Sequence, residues 1–528
     1  MLRILLLTGR LAEPLVRLAL KECSSPHQVK VHVMPLDIAA LATPQKVLSY
    51  LRRYVKAEDF DLIMVSGAIH GSMKIVEEEV GVKVVKGPKH AADIPYVITR
   101  YDLEKLSSEE PADEVLNRET HRDVSRILCR IEKEAIFKPH VCIGGKIVPV
   151  NPPPIRVISE ISDAHLLNEQ DLLSEVERRV MDGADIISLG FEAWSANPAE
   201  VKKTIKLIKR EFEVPVVLDS LIPEEIIVGV NAGVDMIMSL EAGNIKKVSR
   251  ILKDIPAVVI PYNSRKRFFA RTSEEKLDLL EKNIRMALEY GVESVIADPV
   301  LNPINFTENK GLFQSLHAYD LFKRKMPEIP MLMGLCNVAE LIDADSIGIN
   351  ALLTMIAAEL GAGLILVAEK SDKAYRSTFE AAVASRMVSI AHFKSGPPKD
   401  LGIDLLIFKE KRRINVPISI KGVEVVTAKD TEKEYPLDRM GAFNLWIDHK
   451  DKLICVLYRG AKGKILIKGK TSMAICNEIL RRGLISSLSH ALYLGRELSK
   501  AEEALRIGKS YIQDEELFKE EKLTKILL

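Results

Sequence analysis

Short apolar runs recur along this chain, each ending in a polar residue and followed by a stretch of helical character. Gly183-Ala-Asp-Ile-Ile-Ser-Leu-Gly190, Val216-Val-Leu-Asp219-Ser220, Ser294-Val-Ile-Ala-Asp298-Pro299 and Met333-Gly-Leu-Cys-Asn337-Val338 are the clearest. From 155 to 394 the pattern gives strands near 156–161, 185–189, 215–218, 234–238, 257–261, 294–297, 330–333 and 364–368. Eight such units in ~240 residues predict a TIM (β/α)8 barrel, with its chemistry at the C-terminal mouth of the strands. A doubly wound sheet is the competitor, because periodicity alone does not prove closure.

The pattern differs on either side of this block. Strand-like runs at 3–7, 29–34, 62–65 and 82–85, with helical stretches at 12–22 and 45–55, predict an N-terminal open, Rossmann-like α/β domain over 1–130. Its turns at Gly9 and Gly67 follow strands, but no complete Gly-x-Gly-x-x-Gly accompanies them, so they read as tight turns rather than a dinucleotide site. His70 and His90 read as loop residues. Residues 114–137 have a charged helical pattern, and 131–154 form a linker. The linker carries a β-hairpin around Gly144-Gly145 that could plug the bottom of the barrel, and it closes on the stiff Pro152-Pro153-Pro154. The barrel domain spans 155–396. Beyond Pro397-Pro398, runs at 405–408, 416–420, 422–426, 443–447 and 453–458, then helices at 472–482 and 489–507, predict an α+β domain over 397–528. His490 and Tyr493 lie one turn apart on its last helix, which reads as a buried contact face.

Composition narrows the class. With 528 residues, 47% hydrophobic and 28% charged, the chain reads as a soluble multidomain protein. The net charge of +1 gives no global pull toward nucleic acid or an anionic membrane. No apolar run reaches the ~20 residues of a bilayer span, and Met1-Leu-Arg-Ile4 leads straight into a strand, so the expected compartment is the cytoplasm. The 6 cysteines form no Cys-x-x-Cys pair and read as core residues. Whether the chain is a homo-oligomer stays open.

The order and spacing of the barrel motifs resemble the pterin-binding barrel family, which includes dihydropteroate synthase and the methyltetrahydrofolate–corrinoid methyltransferases. The resemblance covers 155–394, under half the chain. Asp219 and Asp298 stand where that family carries its two pterin-binding aspartates. The chemistry suits them: a pterin presents a 2-amino group beside a ring N–H, and a carboxylate accepts both. As bland alternatives, Asp219 would cap the following helix and Asp298 would form a turn before Pro299. The departures are specific. Glu160, in Ser159-Glu160-Ile-Ser162-Asp163, replaces a metal- or diphosphate-linked Asn. Met238-Ser239-Leu-Glu241 replaces an Asn-Asp pair. Gly334-Leu-Cys-Asn337 looks like the methyltransferase branch, and Ala368-Glu369-Lys370-Ser371 replaces the Arg-x-His that grips diphosphate.

The three-part layout resembles an archaeal group related to dihydropteroate synthase, found in organisms that use tetrahydromethanopterin. This implies a transferase joining a 6-hydroxymethyl-dihydropterin diphosphate to an arylamine in the biosynthesis of that folate-like carrier. The expected catalytic residues are Asp219, Asp298 and Lys370, and the expected substrate-binding residues are Asp219, Ser239, Glu241, Asn263, Asp298 and Asn337. Arg265 and Lys266 are further candidates for the diphosphate, and Mg2+ would be held near Glu160 or Asp163. Two alternatives stay open: a pterin-dependent methyltransferase component acting with a corrinoid protein, favoured by Asn263 and Asn337, and a non-catalytic pterin-binding protein.

Overall fold

The computed structural model describes residues 1–21, 23, 25–191, 195–306, 310–411, 422–428 and 437–518. The chain divides into two compact units, Met1–Gly422 and Val423–Leu528. The first opens with four parallel strands, β1 (Arg3–Thr8), β2 (Gln28–Val33), β3 (Leu62–Val65) and β4 (Lys83–Lys86), in the order β2-β1-β3-β4. Its central strands are apolar on both faces because helices cover both: Leu5, Leu7, Ile63 and Val84 pack on one side, and Ile4, Leu6, Met64 and Val85 on the other.

The long helix Ala112–Ala135 leads to the antiparallel hairpin of β5 (His140–Ile143) and β6 (Lys146–Pro149). Eight parallel strands then close into a barrel: β7 (Arg156–Ile161), β8 (Ile186–Gly190), β9 (Val216–Asp219), β10 (Met236–Leu240), β11 (Ala257–Val259) and, after a small hairpin of β12 (Tyr262–Asn263) and β13 (Phe268–Phe269), β14 (Val295–Ala297), β15 (Met331–Gly334) and β16 (Ala362–Ala368). Pairing of β16 with β7 completes the ring, so the closed barrel stands and the open sheet does not. Ile143 and Val148 of the β5–β6 hairpin join the interior cluster. A Cβ on Gly144 would fall 2.8 Å from Pro215, just before β9. The hairpin therefore stops the bottom of the barrel, leaving the opposite mouth as its open end.

The second unit has three antiparallel strands, β17 (Gly441–Asp448), β18 (Leu453–Gly460) and β19 (Gly463–Gly469), with the helices Ser472–Arg481 and Leu488–Ile507 packed on one face. The sequence runs at 405–408 and 422–426 are not strands. They pair with no strand among the described residues, and Leu406, Ile407, Phe408, Val423 and Val425 stay exposed. The run at 416–420 lies outside the described residues. Asp438 organises this unit, accepting from Met440 N, Ser486 N and Oγ, and Ser487 N, with His490 Nδ1 3.2 Å away. His490 packs its ring between Phe443 and Tyr493, as a contact face would. No helix among the described residues is long and apolar enough to cross a membrane.

Candidate active site

Buried residues along the barrel strands alternate between two clusters. Ile158, Ile186, Val217, Met236, Val258, Ile296, Leu332 and Leu364 fill the interior, while Val157, Ile187, Leu218, Ile237, Val259, Ala297, Met333 and Ile365 pack toward the helices. Successive strand side chains point to opposite faces. Counting on by two from the interior set brings Glu160, Asp219 and Asp298 inward, one layer above Ile158, Val217 and Ile296. The same count brings in Gly190, Gly334 and Ala368. Three carboxylates thus stand at the mouth end of the interior with Gly190, Gly334 and Ala368, beside the larger Met238 and Ile260.

Each carboxylate is held differently. Asp219 is half-buried, and its only hydrogen bond among the described residues is a long one, 3.4 Å, from Ser239 Oγ. Burial pushes its pKa up, and the nearby charges of Glu160 and Asp298 add to that. Asp298 is 9% exposed. Its Oδ1 accepts from Val300 N at 2.7 Å and from the Tyr319 hydroxyl at 2.7 Å, while its Oδ2 accepts nothing from the described residues. Burial raises Asp298 to about 6, against these two bonds and the charge of Lys276. Glu160 accepts from Ser162 Oγ at 2.9 Å. Burial raises it too, opposed by that bond and by Arg179 and Lys370. Cys336 lies between these groups, its thiol pushed up by burial and by the charges of Glu160 and Asp298.

The other expected site residues divide. Ser239 reaches Asp219, as above. Asn337 folds back over the end of β15, with Nδ2 3.2 Å from where a Cβ on Gly334 would stand and Oδ1 3.8 Å from Cys336 Sγ. Glu241, by contrast, is 1% exposed and uses both oxygens on Ser264, accepting from its N at 2.8 Å and its Oγ at 2.7 Å. It anchors the β12–β13 hairpin to the mouth through these two bonds. Asn263 accepts from Lys266 N, closing the tip of the same hairpin. That tip carries Arg265, Lys266 and Arg267. Lys370 sits on the rim, largely exposed, 3.4 Å from Asp163 Oδ2.

Glu160 and Asp163, expected near a Mg2+, each already have a partner. Asp163 already faces the Lys370 ammonium, and Glu160 is drawn inward to Ser162. Among the described residues no group of three or more His, Cys, Asp or Glu is placed to hold a metal ion.

Comparison with known proteins extends over the whole chain. An archaeal protein of Methanocaldococcus jannaschii, "Uncharacterized protein MJ0107", is 35% identical over 530 residues, spanning 98% of this chain and 99% of its own. The chain belongs to that protein's family. Within this family, residues 159–368 match the model described as "Pterin binding enzyme". Residues 2–89 match a family of unknown function, DUF6513, and 437–514 match the model PterinBD-DUF4346. A red algal protein of Pyropia yezoensis, "Uncharacterized protein ycf91", is 36% identical over 99 residues, 17% of this chain and 84% of its own. Among solved structures, Yersinia pestis DHPS with a pterine–sulfa conjugate matches at 17% identity and TM-score 0.39, covering 49% of this chain and all of its own. Dihydropteroate synthase from Xanthomonas albilineans in complex with 7,8-dihydropteroate matches at 19% identity and TM-score 0.38, with the same coverage.

Two groups around the mouth of the barrel carry no motif in the sequence. Tyr319, fully buried on the helix Gly311–Lys325, places its hydroxyl 2.7 Å from Asp298 and 2.9 Å from the carbonyl of Leu332. Lys276, 1% exposed on the helix Ser273–Glu289, places Nζ 3.1 Å from Pro299 O and 2.6 Å from Val300 O. Both lie behind the Asp-Pro turn. An inward-facing lysine amid an otherwise amphipathic helix is the one signal that could have revealed Lys276. Behind β7 and β16, Glu369 is buried against Arg178 and Arg179 and accepts from Thr378, so this stretch braces the barrel wall.

Proposed function

We propose that this protein is a transferase that binds a reduced pterin on the mouth carboxylates and joins its 6-methylene carbon to an arylamine. One observation carries the reading. Asp219 and the free Oδ2 of Asp298 are acceptors without strong partners among the described residues, at the mouth end of a barrel whose residues match a pterin-binding enzyme model. A pterin edge offers a 2-amino group and a ring N–H, donors that such acceptors match. The acceptor capacity of Asp298 is concentrated on Oδ2, so the pterin's donors would converge on that oxygen.

In the proposed step the amine nitrogen forms a bond to the pterin methylene carbon. The bond from that carbon to the diphosphate oxygen breaks, the diphosphate leaves with the electron pair, and the amine releases a proton. Positive charge that develops on the methylene–pterin system is stabilised by the fixed carboxylates. Rim cations suit the other end of the substrate: Lys370 on one side, and Arg265 and Lys266 on the hairpin that Glu241 anchors. Any Mg2+ would arrive with the diphosphate it neutralises. The product would be a precursor of a folate-like carrier such as tetrahydromethanopterin.

A second reading keeps the pterin and changes the reaction: Asn337, folded over Gly334 at the mouth, suits a methyl-group donor site serving a corrinoid protein. Incubation with 6-hydroxymethyl-dihydropterin diphosphate and a panel of arylamines separates the two. Diphosphate release that depends on both substrates supports the synthase. Methyl transfer from a methylated reduced pterin to a corrinoid, without diphosphate release, supports the alternative. Pterin binding with neither reaction would leave a binding protein.

A further inference from the structure

Val300 has φ +63°. A β-branched residue in the left-handed region is strained and persists only where its surroundings impose it. Here the surroundings can be named. The N–H of Val300 donates to Asp298 Oδ1, and its carbonyl, with that of Pro299, is gripped by the ammonium of Lys276. The turn is clamped from both sides, and this clamp fixes which oxygen of Asp298 is engaged and which stays free.

A neutral donor would suffice to hold two carbonyls. Lys276 instead brings a positive charge into a buried site where, among the described residues, it makes no ion pair. Burial lowers its pKa to about 8, and the charge that opposes this is that of Asp298. We infer that Lys276 is a positioning residue for Asp298: it holds the strained Asp298–Pro299–Val300 turn through its carbonyls and supplies the compensating charge behind the carboxylate that meets the ligand. The inference rests on the proposed pterin site and adds to it a cation outside the top layer of the barrel.

The groups that face Asp298 from the packed elements are few. Tyr319 donates to it from the helix Gly311–Lys325, while Asp219 on β9 and the Cys336 thiol after β15 lie within its field. Lys276 is the cation among the described groups that act on Asp298, and its charge pulls the carboxylate down against burial. An opposite charge close to a carboxylate lowers its pKa, by about one unit where the two lie near each other.

The test is the pH dependence of affinity for 6-hydroxymethyl-7,8-dihydropterin, by calorimetric titration from pH 5 to 9.5, in wild type and Lys276→Met. The acid midpoint should move up by about one unit in the variant. For a midpoint moving from about 6 to about 7 that is about five-fold weaker binding at pH 6, approaching ten-fold at lower pH, with much of the affinity recovered above pH 8. A merely structural lysine would weaken binding equally at every pH, and an unmoved midpoint overturns the inference. If Lys276→Met does not fold, Lys276→Gln, which keeps an N–H donor for the carbonyls, reads the same midpoint. If neither variant folds, Lys276→Arg, which keeps the charge, should leave the midpoint where it is in wild type, and an upward move of about one unit in that variant overturns the inference. Absence of wild-type binding at all pH values would instead remove the pterin site itself.

Discussion

A Cβ at position 190 would stand 2.8 Å from Oε1 of Glu160. Gly190 is not in a left-handed conformation, so the constraint is space alone: the end of β8 must be bare for the Glu160 carboxylate to lie across it. Gly190→Ala should push that carboxylate toward the mouth. Overpacking costs about 1–3 kcal/mol, and the low end is expected because the clashing atom is the tip of a side chain. Denaturant unfolding should show a small loss of stability. Calorimetry should show roughly ten-fold weaker pterin binding, the scale of one disturbed charged hydrogen bond.

Ionisation of the mouth carboxylates sets a pH window. Burial raises Glu160 and Asp219, and it raises Asp298 to about 6. A protonated carboxyl has lost acceptor capacity, so pterin affinity should be highest above pH 7 and fall as the pH drops through about 6. The measurement is the binding constant at constant ionic strength across that range.

Stability should run the other way. The folded-state pKa of Asp298 is above its unfolded value, so its contribution favours the fold at low pH and is lost as the pH rises through about 6. The non-titrating Asp298→Asn should therefore gain on wild type by about 2–3 kcal/mol between pH 4 and pH 7. Urea unfolding of both ligand-free proteins at the two pH values gives the difference directly.

Much of this layout was legible in the sequence. All eight barrel strands fall within about two residues of their expected ends, because a strand buried on both faces leaves an unbroken apolar run. The top layer was legible as well. Counting by two from Ile158, Val217 and Ile296 reaches the three carboxylates, and the same count reaches Gly190 and Gly334. The part played by Glu241 was not legible, because a carboxylate after a barrel strand looks the same whether it faces a ligand or Ser264. Lys276 and Tyr319 lie on helices and reach the Asp-Pro turn only through tertiary packing. Strands expected near 405–408 and 422–426 have the apolar content of a strand but pair with none among the described residues. The Gly463–Gly469 strand escaped notice because its short run is flanked by glycines and exists by pairing with β18.

The anchoring part of Glu241 has its own test. Glu241→Ala removes both acceptors of Ser264 and frees the hairpin that carries Arg265 and Lys266. Affinity for 6-hydroxymethyl-dihydropterin should be nearly unchanged. Affinity for its diphosphate should fall by about ten-fold, as a charged contact is lost. Lys370→Ala should show the same selectivity from the other side of the mouth. Equal effects on both ligands would place the cations elsewhere in the mechanism.

The most direct test of the pterin site is calorimetric titration of wild type, Asp219→Asn and Asp298→Asn with 6-hydroxymethyl-7,8-dihydropterin at pH 7.5. In each variant an acceptor oxygen gives way to an NH2 that faces the ligand's own donors. Loss of a charged hydrogen bond costs about 1.5–3 kcal/mol, so binding by wild type should weaken roughly ten- to a hundred-fold in each variant. Wild-type protein that binds no reduced pterin, or three proteins that bind it equally well, would contradict the account.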